Sequence, residues 1–187
     1  YFLSAYELNL LAFILSPAFL AVVLGYSYTK RFTSMCHLFL GLALSLAPMA
    51  GWIGVKGSVE FLPLILSTGV LFWVAGFDIL YGCLDCDFDR EQGLYSIPAR
   101  WGIKKAFWIS GIFHLLAFIS LVFVGFLAHL NWIYYCGLLA TFALLVMQRL
   151  VITPKDLSRM NMAFFTFNGA ISIILFIATA ISLIWKA

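Results

Sequence analysis

The stretch Asp78-Ile-Leu-Tyr81-Gly-Cys-Leu-Asp85-Cys-Asp87-Phe-Asp89-Arg-Glu91 puts five carboxylates within fourteen residues, in a chain with only eight acidic residues among 187. The seventeen residues before it, Phe61 to Phe77, are uncharged and mostly apolar. Ionisable groups beside hydrocarbon are costly to hold and are usually functional. Carboxylates this dense at the end of a membrane-length segment suit a divalent-metal site, and a diphosphate at the membrane surface suits the metal.

If one helix runs through the motif, Asp78, Tyr81, Asp85 and Asp89 share a sector of about 80°, with Asp87 on the opposite face. Asp85 and Asp89 are then one turn apart and can jointly approach one or two hard cations. Magnesium fits, because it takes a few carboxylates and fills its other positions with water and phosphate oxygens. Asp87 and Glu91 read as solvated charges. Asp78, at least one turn deeper, suits either catalysis or a hydrogen bond between helices. Gly93 offers a helix stop and Pro98 a turn. Cys83 and Cys86 form a CxxC, but no second pair or nearby His completes a zinc set. They read as small apolar helix residues.

A second cluster is Tyr26-Ser-Tyr28-Thr-Lys30-Arg31-Phe-Thr33. Arg offers paired donors to carboxylate or phosphate, and Lys a point charge. Alone, such a pair at a helix end is a topology signal. Opposite a metal-carboxylate site it becomes a diphosphate- or acid-binding pair. Arg100, Lys104 and Lys105 follow the acidic motif and are candidates to reach a phosphate. His37, one turn beyond Thr33, is placed to line the same mouth. His114 and His129 read as structural or interfacial, and Asn168 as an interhelical hydrogen-bonding residue.

The elements that must position these groups are membrane helices. Hydrophobic residues make up 64% of the chain, charged residues 10%, and the mean hydropathy is +1.06. A crossing needs about 20 apolar residues. Uncharged runs of 22, 24, 43 and 26 residues lie between Glu7 and Lys30, Arg31 and Lys56, Lys105 and Arg149, and Arg159 and Lys186. The 43-residue run divides at His129-Leu-Asn131. The expectation is one all-α transmembrane domain over 1–187, with six spans at about 8–26, 34–55, 61–84, 106–127, 131–149 and 162–185. Span two, with Gly41, Ala43, Ser45, Ala47, Pro48, Ala50 and Gly51, suits a close-packed interior helix. Alternate loops hold nine cations on one side and two, Lys56 and Lys186, on the other. By the positive-inside rule the nine-cation side is cytoplasmic. Aromatics are 18% of the chain without a basic-aromatic groove pattern, so nucleic acid is not an expected partner.

The pattern Tyr81-xxx-Asp85-xxx-Asp89-xxx-Gly93-xx-Ser96-x-Pro98-xxx-Gly102 resembles the second aspartate-rich motif of the UbiA-type membrane prenyltransferases. Tyr28-Thr-Lys30-Arg31-Phe-Thr33, then Leu40-Gly41 and Pro48-x-x-Gly51-Trp52, is similar to the stretch between that family's two motifs. Gly76-Phe-Asp78, Tyr81 and Ser96-Ile-Pro98-Ala-Arg100 are nearest its 4-hydroxybenzoate polyprenyltransferase branch. The resemblance covers most of residues 20–105. It implies a nine-helix bundle in a bacterial inner membrane, with its active site open to the cytoplasm and to lipid. Asp85 and Asp89 would bind Mg2+ holding a polyprenyl diphosphate. Lys30, Arg31 and Arg100 would assist with the diphosphate or an aromatic acceptor such as 4-hydroxybenzoate, in ubiquinone-type quinone biosynthesis. Tyr81 would support an allylic cation or hydrogen-bond an aspartate, and Asp78 completes the expected catalytic set.

The family's first motif, NDxxDxxxD, is absent, and the chain opens at Tyr1 without a Met. The expectation is therefore the C-terminal two-thirds of such an enzyme, six spans of nine, binding metal weakly and turning over poorly or not at all alone. A menaquinone-pathway acceptor is the runner-up. Rival classes are a phosphatidyl-group transferase, whose DG-centred pattern is missing, a cation transporter using Asp78, Asp85 and Asp89, and a non-catalytic membrane subunit. Transport sites lie near the bilayer midplane, whereas these acids gather at a helix end.

Overall fold

The computed structural model describes residues 1–185. Lys186, one of the two cations assigned to the sparse side, lies outside them. In chain order the elements are α1 (Phe2–Leu8), α2 (Leu10–Gly25) running on as a 3-10 segment (Tyr26–Arg31), α3 (Cys36–Lys56) and α4 (Phe61–Tyr81). Then come α5 (Cys86–Glu91), α6 (Ile97–Trp101), α7 (Ile103–Leu127), α8 (Trp132–Val151), a π-helical segment (Met162–Phe167) and α9 (Asn168–Ile184). Six helices are long and apolar enough to cross a bilayer: Leu10–Arg31, Cys36–Lys56, Phe61–Tyr81, Ile103–Leu127, Trp132–Val151 and Met162–Ile184. In hydrocarbon every backbone polar group must be satisfied by the protein itself, and an α-helix does so within its own segment.

The third crossing ends at Tyr81, short of the expected Leu84, and this corrects the premise of one helix through the motif. Cys83, Leu84 and Asp85 donate their N–H groups three residues back, to Leu80, Tyr81 and Gly82, at 3.1, 3.0 and 3.2 Å. The chain thus tightens into turns before α5 starts. Gly93, at φ 65°, ends α5. Leu94 N donates to Asp89 O at 2.8 Å and Gly93 N to Arg90 O at 3.3 Å, the paired bonds of a Schellman stop. Ser96 then caps α6 by accepting from Ala99 N at 3.3 Å, and Pro98 sits in the first turn, where a missing N–H costs nothing.

The residues group into two compact units, Tyr1–Ala117 and Phe118–Ala187, with the boundary inside α7. In the first unit Gly41 lets α3 press against the Leu71 carbonyl of α4. Gly76 leaves room for the His114 ring, and Ser110 donates to Gly76 O at 2.7 Å. Asn9 caps α2 by accepting from Ala12 N at 2.9 Å, while its amide donates to Ile53 O at 2.8 Å near the end of α3. The small residues of α3 divide between faces: Gly41, Ala43 and Ser45 are buried, and Ala47, Ala50 and Gly51 are exposed.

In the second unit Leu130, Tyr134 and Leu138 form a core with Phe118, Leu121 and Leu175. Tyr134 Oη donates to Leu121 O at 2.7 Å, and Gly137 lets α8 meet Ala178 of α9. Asn131 begins α8 and accepts from Ile133 N at 3.0 Å, while Ser182 Oγ accepts from Asn131 N at 2.9 Å. The expected interhelical bond of Asn168 does not form: both its amide atoms are buried without a hydrogen-bond partner among the described residues.

Candidate active site

The site assembles where the 3-10 end of the first crossing meets the turns after α4. Tyr95 N donates to Lys30 O at 2.7 Å, so the loop after α5 is tied by its backbone to the segment that carries Lys30. That bond brings Lys30 Nζ to 2.7 Å from Asp89 Oδ1 and 3.7 Å from Asp85 Oδ2. Asp89 has no solvent exposure, while the Asp85 side chain is 52% exposed. Ser96 Oγ donates to the other oxygen of Asp89 at 2.8 Å. A carboxylate buried this completely requires compensating partners, and the ammonium and the hydroxyl are those partners.

A cavity of about 270 Å³ opens beside this pair, lined by Tyr26, Lys30, His37, Asp78, Tyr81 and Asp85 among others. His37, in the first turn of α3, is buried and lies with Nδ1 2.6 Å from Asp78 Oδ2. Ile97 N approaches the ring's other nitrogen at 3.4 Å. Residues 96 and 97 therefore touch two carboxylates, Asp89 through Ser96 and Asp78 through His37.

The expected site residues separate on this geometry. Asp78, Tyr81, Asp85 and Lys30 line one cavity. Asp89 does not line it and reaches it through Lys30. Arg31 is exposed and stacks over the Tyr28 ring at 5.7 Å, and Arg100 is exposed on α6; neither lines the cavity. Asp87 is 93% exposed and 3.6 Å from Arg90, a solvated charge. The cysteines of the CxxC point to backbone carbonyls, Cys83 to Ile79 O and Cys86 to Pro98 O, each at 3.4 Å. Burial pushes the Cys83 thiol up to about 12 and raises that of Cys86. Two contributions were not read from the sequence as site features. Ser96 was visible only as a motif position, and its bond to Asp89 depends on the fold of the intervening loop. The His37–Asp78 pair joins residues 41 positions apart, beyond any local spacing.

The chain belongs to the UbiA prenyltransferase family, whose family model matches residues 1–184. A mitochondrial 4-hydroxybenzoate polyprenyltransferase of Arabidopsis thaliana is 36% identical over 137 residues, covering 72% of this chain and 33% of the relative. A 4-hydroxybenzoate octaprenyltransferase of Escherichia fergusonii is 27% identical over 181 residues, 97% of this chain and 62% of its own length. The apo structure of a UbiA homologue from Aeropyrum pernix K1 superposes with a TM-score of 0.86 at 31% identity, covering 98% of this chain and 68% of that one. The chain thus spans 33% and 62% of the length of these two curated relatives.

Proposed function

We propose that the protein transfers a polyprenyl group from a polyprenyl diphosphate to an aromatic acid such as 4-hydroxybenzoate, with magnesium, on the way to a ubiquinone-type quinone. The observation that carries this reading is the convergence of Asp85 and Asp89 on a single positive charge, the Lys30 ammonium. A place that two carboxylates already supply to one cation fits a magnesium ion, and Asp85 and Asp89 would hold it. Among the described residues no group of three His, Cys, Asp or Glu side chains is set to enclose a metal. Magnesium does not need one, since phosphate oxygens and water complete its shell. When bound, the ion neutralises charge on the leaving diphosphate.

The chain's own residues take the remaining tasks. Lys30, released from the carboxylates, faces the diphosphate. Tyr81 lines the cavity, where an aromatic face favours an allylic cation. Asp78 lines the same cavity on the α4 side. Arg31 and Arg100 lie outside the lining, so this reading gives them the attraction of anionic substrates to the mouth. The acceptor class comes from the relatives named as 4-hydroxybenzoate prenyltransferases. The nine-cation loops favour a cytoplasmic mouth, and a lipid-soluble chain joined to a water-soluble diphosphate needs a site at the membrane surface.

The test is prenyl transfer by the complete protein in lipid nanodiscs, with magnesium, polyprenyl diphosphate and 4-hydroxybenzoate. Product is expected from the wild type and none from Asp85→Asn, with helical circular dichroism unchanged in the variant. Wild-type turnover in Asp85→Asn would sink the assignment.

A further inference from the structure

We propose that His37 is a positioning residue that presents Asp78 as the proton acceptor for the aromatic substrate. The proposal rests on the prenyl-transfer reading and deepens it. The first step is the ring's protonation state. A peptide N–H can only donate, so the approach of Ile97 N to His37 Nε2 at 3.4 Å requires a lone pair there. The ring proton is then on Nδ1, 2.6 Å from Asp78 Oδ2, and His37 is the donor in that bond. The ring is fixed from a third side as well. A Cβ built on Gly82 would come within 3.0 Å of His37 Cε1, so the tight turn after α4 is shaped around the imidazole. Three elements thus hold one orientation and one tautomer, and the ring spends its proton on one oxygen of Asp78.

The second step is which carboxylate is free to take a proton. Asp89 is fully buried and occupied by Lys30 and Ser96. Asp85 faces the Lys30 ammonium and is one of the two carboxylates this reading gives to magnesium. Asp78 shares no ion pair with Lys30 among the described residues; its partner is His37. It lines the cavity, is 25% exposed, and keeps a second oxygen outside the His37 bond. A base oriented by a second group that itself makes no covalent change is a recurring catalytic arrangement.

The chemistry needs such an acceptor. The allylic C–O bond breaks and the diphosphate leaves with its electron pair. A ring carbon of the acceptor bonds to the prenyl carbon. The ring C–H bond then breaks, its electrons restore aromaticity, and the proton passes to the free oxygen of Asp78. His37 touches neither substrate carbon and acts only through Asp78.

The experiment uses the complete protein in nanodiscs and acceptor deuterated at the ring positions open to substitution. His37→Leu keeps the bulk and removes the donor. Its kcat is expected to fall about 100-fold, the lower end of what a positioned general base contributes, with KM for the polyprenyl diphosphate unchanged. Proton loss becomes slow enough to show a primary deuterium isotope effect that the wild type lacks. His37→Asn, whose amide N–H falls where Nδ1–H was, restores most of kcat and erases the isotope effect. Nitrogen-15 spectra of labelled histidine in the wild type should show the His37 ring neutral and protonated on Nδ1. An active wild type with His37→Leu equally fast and free of isotope effect overturns this proposal alone. So does a ring protonated on Nε2, a result that stands even if His37→Leu does not fold. A wild type that transfers no prenyl group overturns the prenyl-transfer reading and the positioning role together.

Discussion

The two compact units are built of the same apolar helices but use polar side chains differently. Tyr1–Ala117 buries Thr29, Ser34, His37, Asp89 and Ser96 close to one cavity, and His37 and Asp89 are met by side chains from other elements. Phe118–Ala187 buries Thr141, Gln148 and Ser182, with no buried Asp, Glu, Lys, Arg or His among its described residues. Its polar contacts run from a side chain to the backbone, as when Gln148 Nε2 donates to Ala163 O at 2.7 Å or Ser182 Oγ receives Asn131 N. Such bonds fasten one helix to the next. Side chain to side chain contacts, by contrast, give directed groups that a substrate can use. The difference sets the first unit, with directed polar side chains around a cavity, apart from the second, whose polar side chains fasten helices.

The strongest way to break that comparison is to remove Asp89, the one fully buried charge among the described residues. Asp89→Ala should cost about 3–5 kcal/mol of stability, the usual range when one partner of a buried ion pair is deleted, and the lower end applies because Lys30 is partly exposed and can turn to water. Asp85→Asn, at a half-exposed position, should cost under about 1 kcal/mol. Denaturation in mixed detergent micelles compares them. Equal losses would mean that the burial of Asp89 is not what holds the acidic turn, and the first unit would lose its distinction as a polar-cored one.

A middle-sized effect sharpens the comparison. Gly76→Ala places a methyl group against the His114 ring in the first unit, and Gly137→Ala places one against Ala178 in the second. Both overpack a helix contact and should cost about 1–3 kcal/mol. Only Gly76 lies two residues from Asp78, which lines the cavity, so only Gly76→Ala should also lower kcat for prenyl transfer by the complete protein. A lowered kcat in Gly137→Ala would make the second unit part of the site's support.

The sequence made the six crossings legible because they depend on a short-range property, the length of an apolar run. It also revealed the stop at Gly93, whereas Pro98, read as a turn, sits in the first turn of α6. What it hid follows from tertiary contact. A helical wheel assumes a continuous helix, and the tight bonds over residues 82–85 end α4 early. Asp89 therefore turns inward to Ser96 while Asp78, Tyr81 and Asp85 line the cavity. Lys30 and Arg31 are adjacent and chemically alike, yet the first faces the carboxylates and the second stacks on Tyr28. A backbone bond from Tyr95 to Lys30, 65 positions apart in sequence, ties the loop after α5 to the segment that carries both.

The smallest effect concerns the cysteines and asks whether the acidic turn is as closed as the comparison requires. The thiolate is the reactive form of cysteine, and its fraction grows only as pH rises through the folded thiol's own pKa. For Cys83 burial sets that value near 12, and burial raises it for Cys86 too. Both side chains are also buried, with thiols aimed at backbone carbonyls, whereas Cys136 on α8 is exposed. At pH 8, membrane-permeant N-ethylmaleimide should therefore modify Cys136 first and leave Cys83 and Cys86 largely intact, as mass spectrometry of the digested protein would show. Raising the pH from 8 to 9 should speed the reaction of Cys83 with little gain in extent, because nearly all of it remains thiol. Denaturation in dodecyl sulfate should make all of them react alike. Native-state modification of Cys83 or Cys86 as fast as that of Cys136 would mean that the turn between Tyr81 and Cys86 opens readily. Asp85 would then not be held in place, and the contrast between an ordered acidic turn and a packing scaffold would disappear.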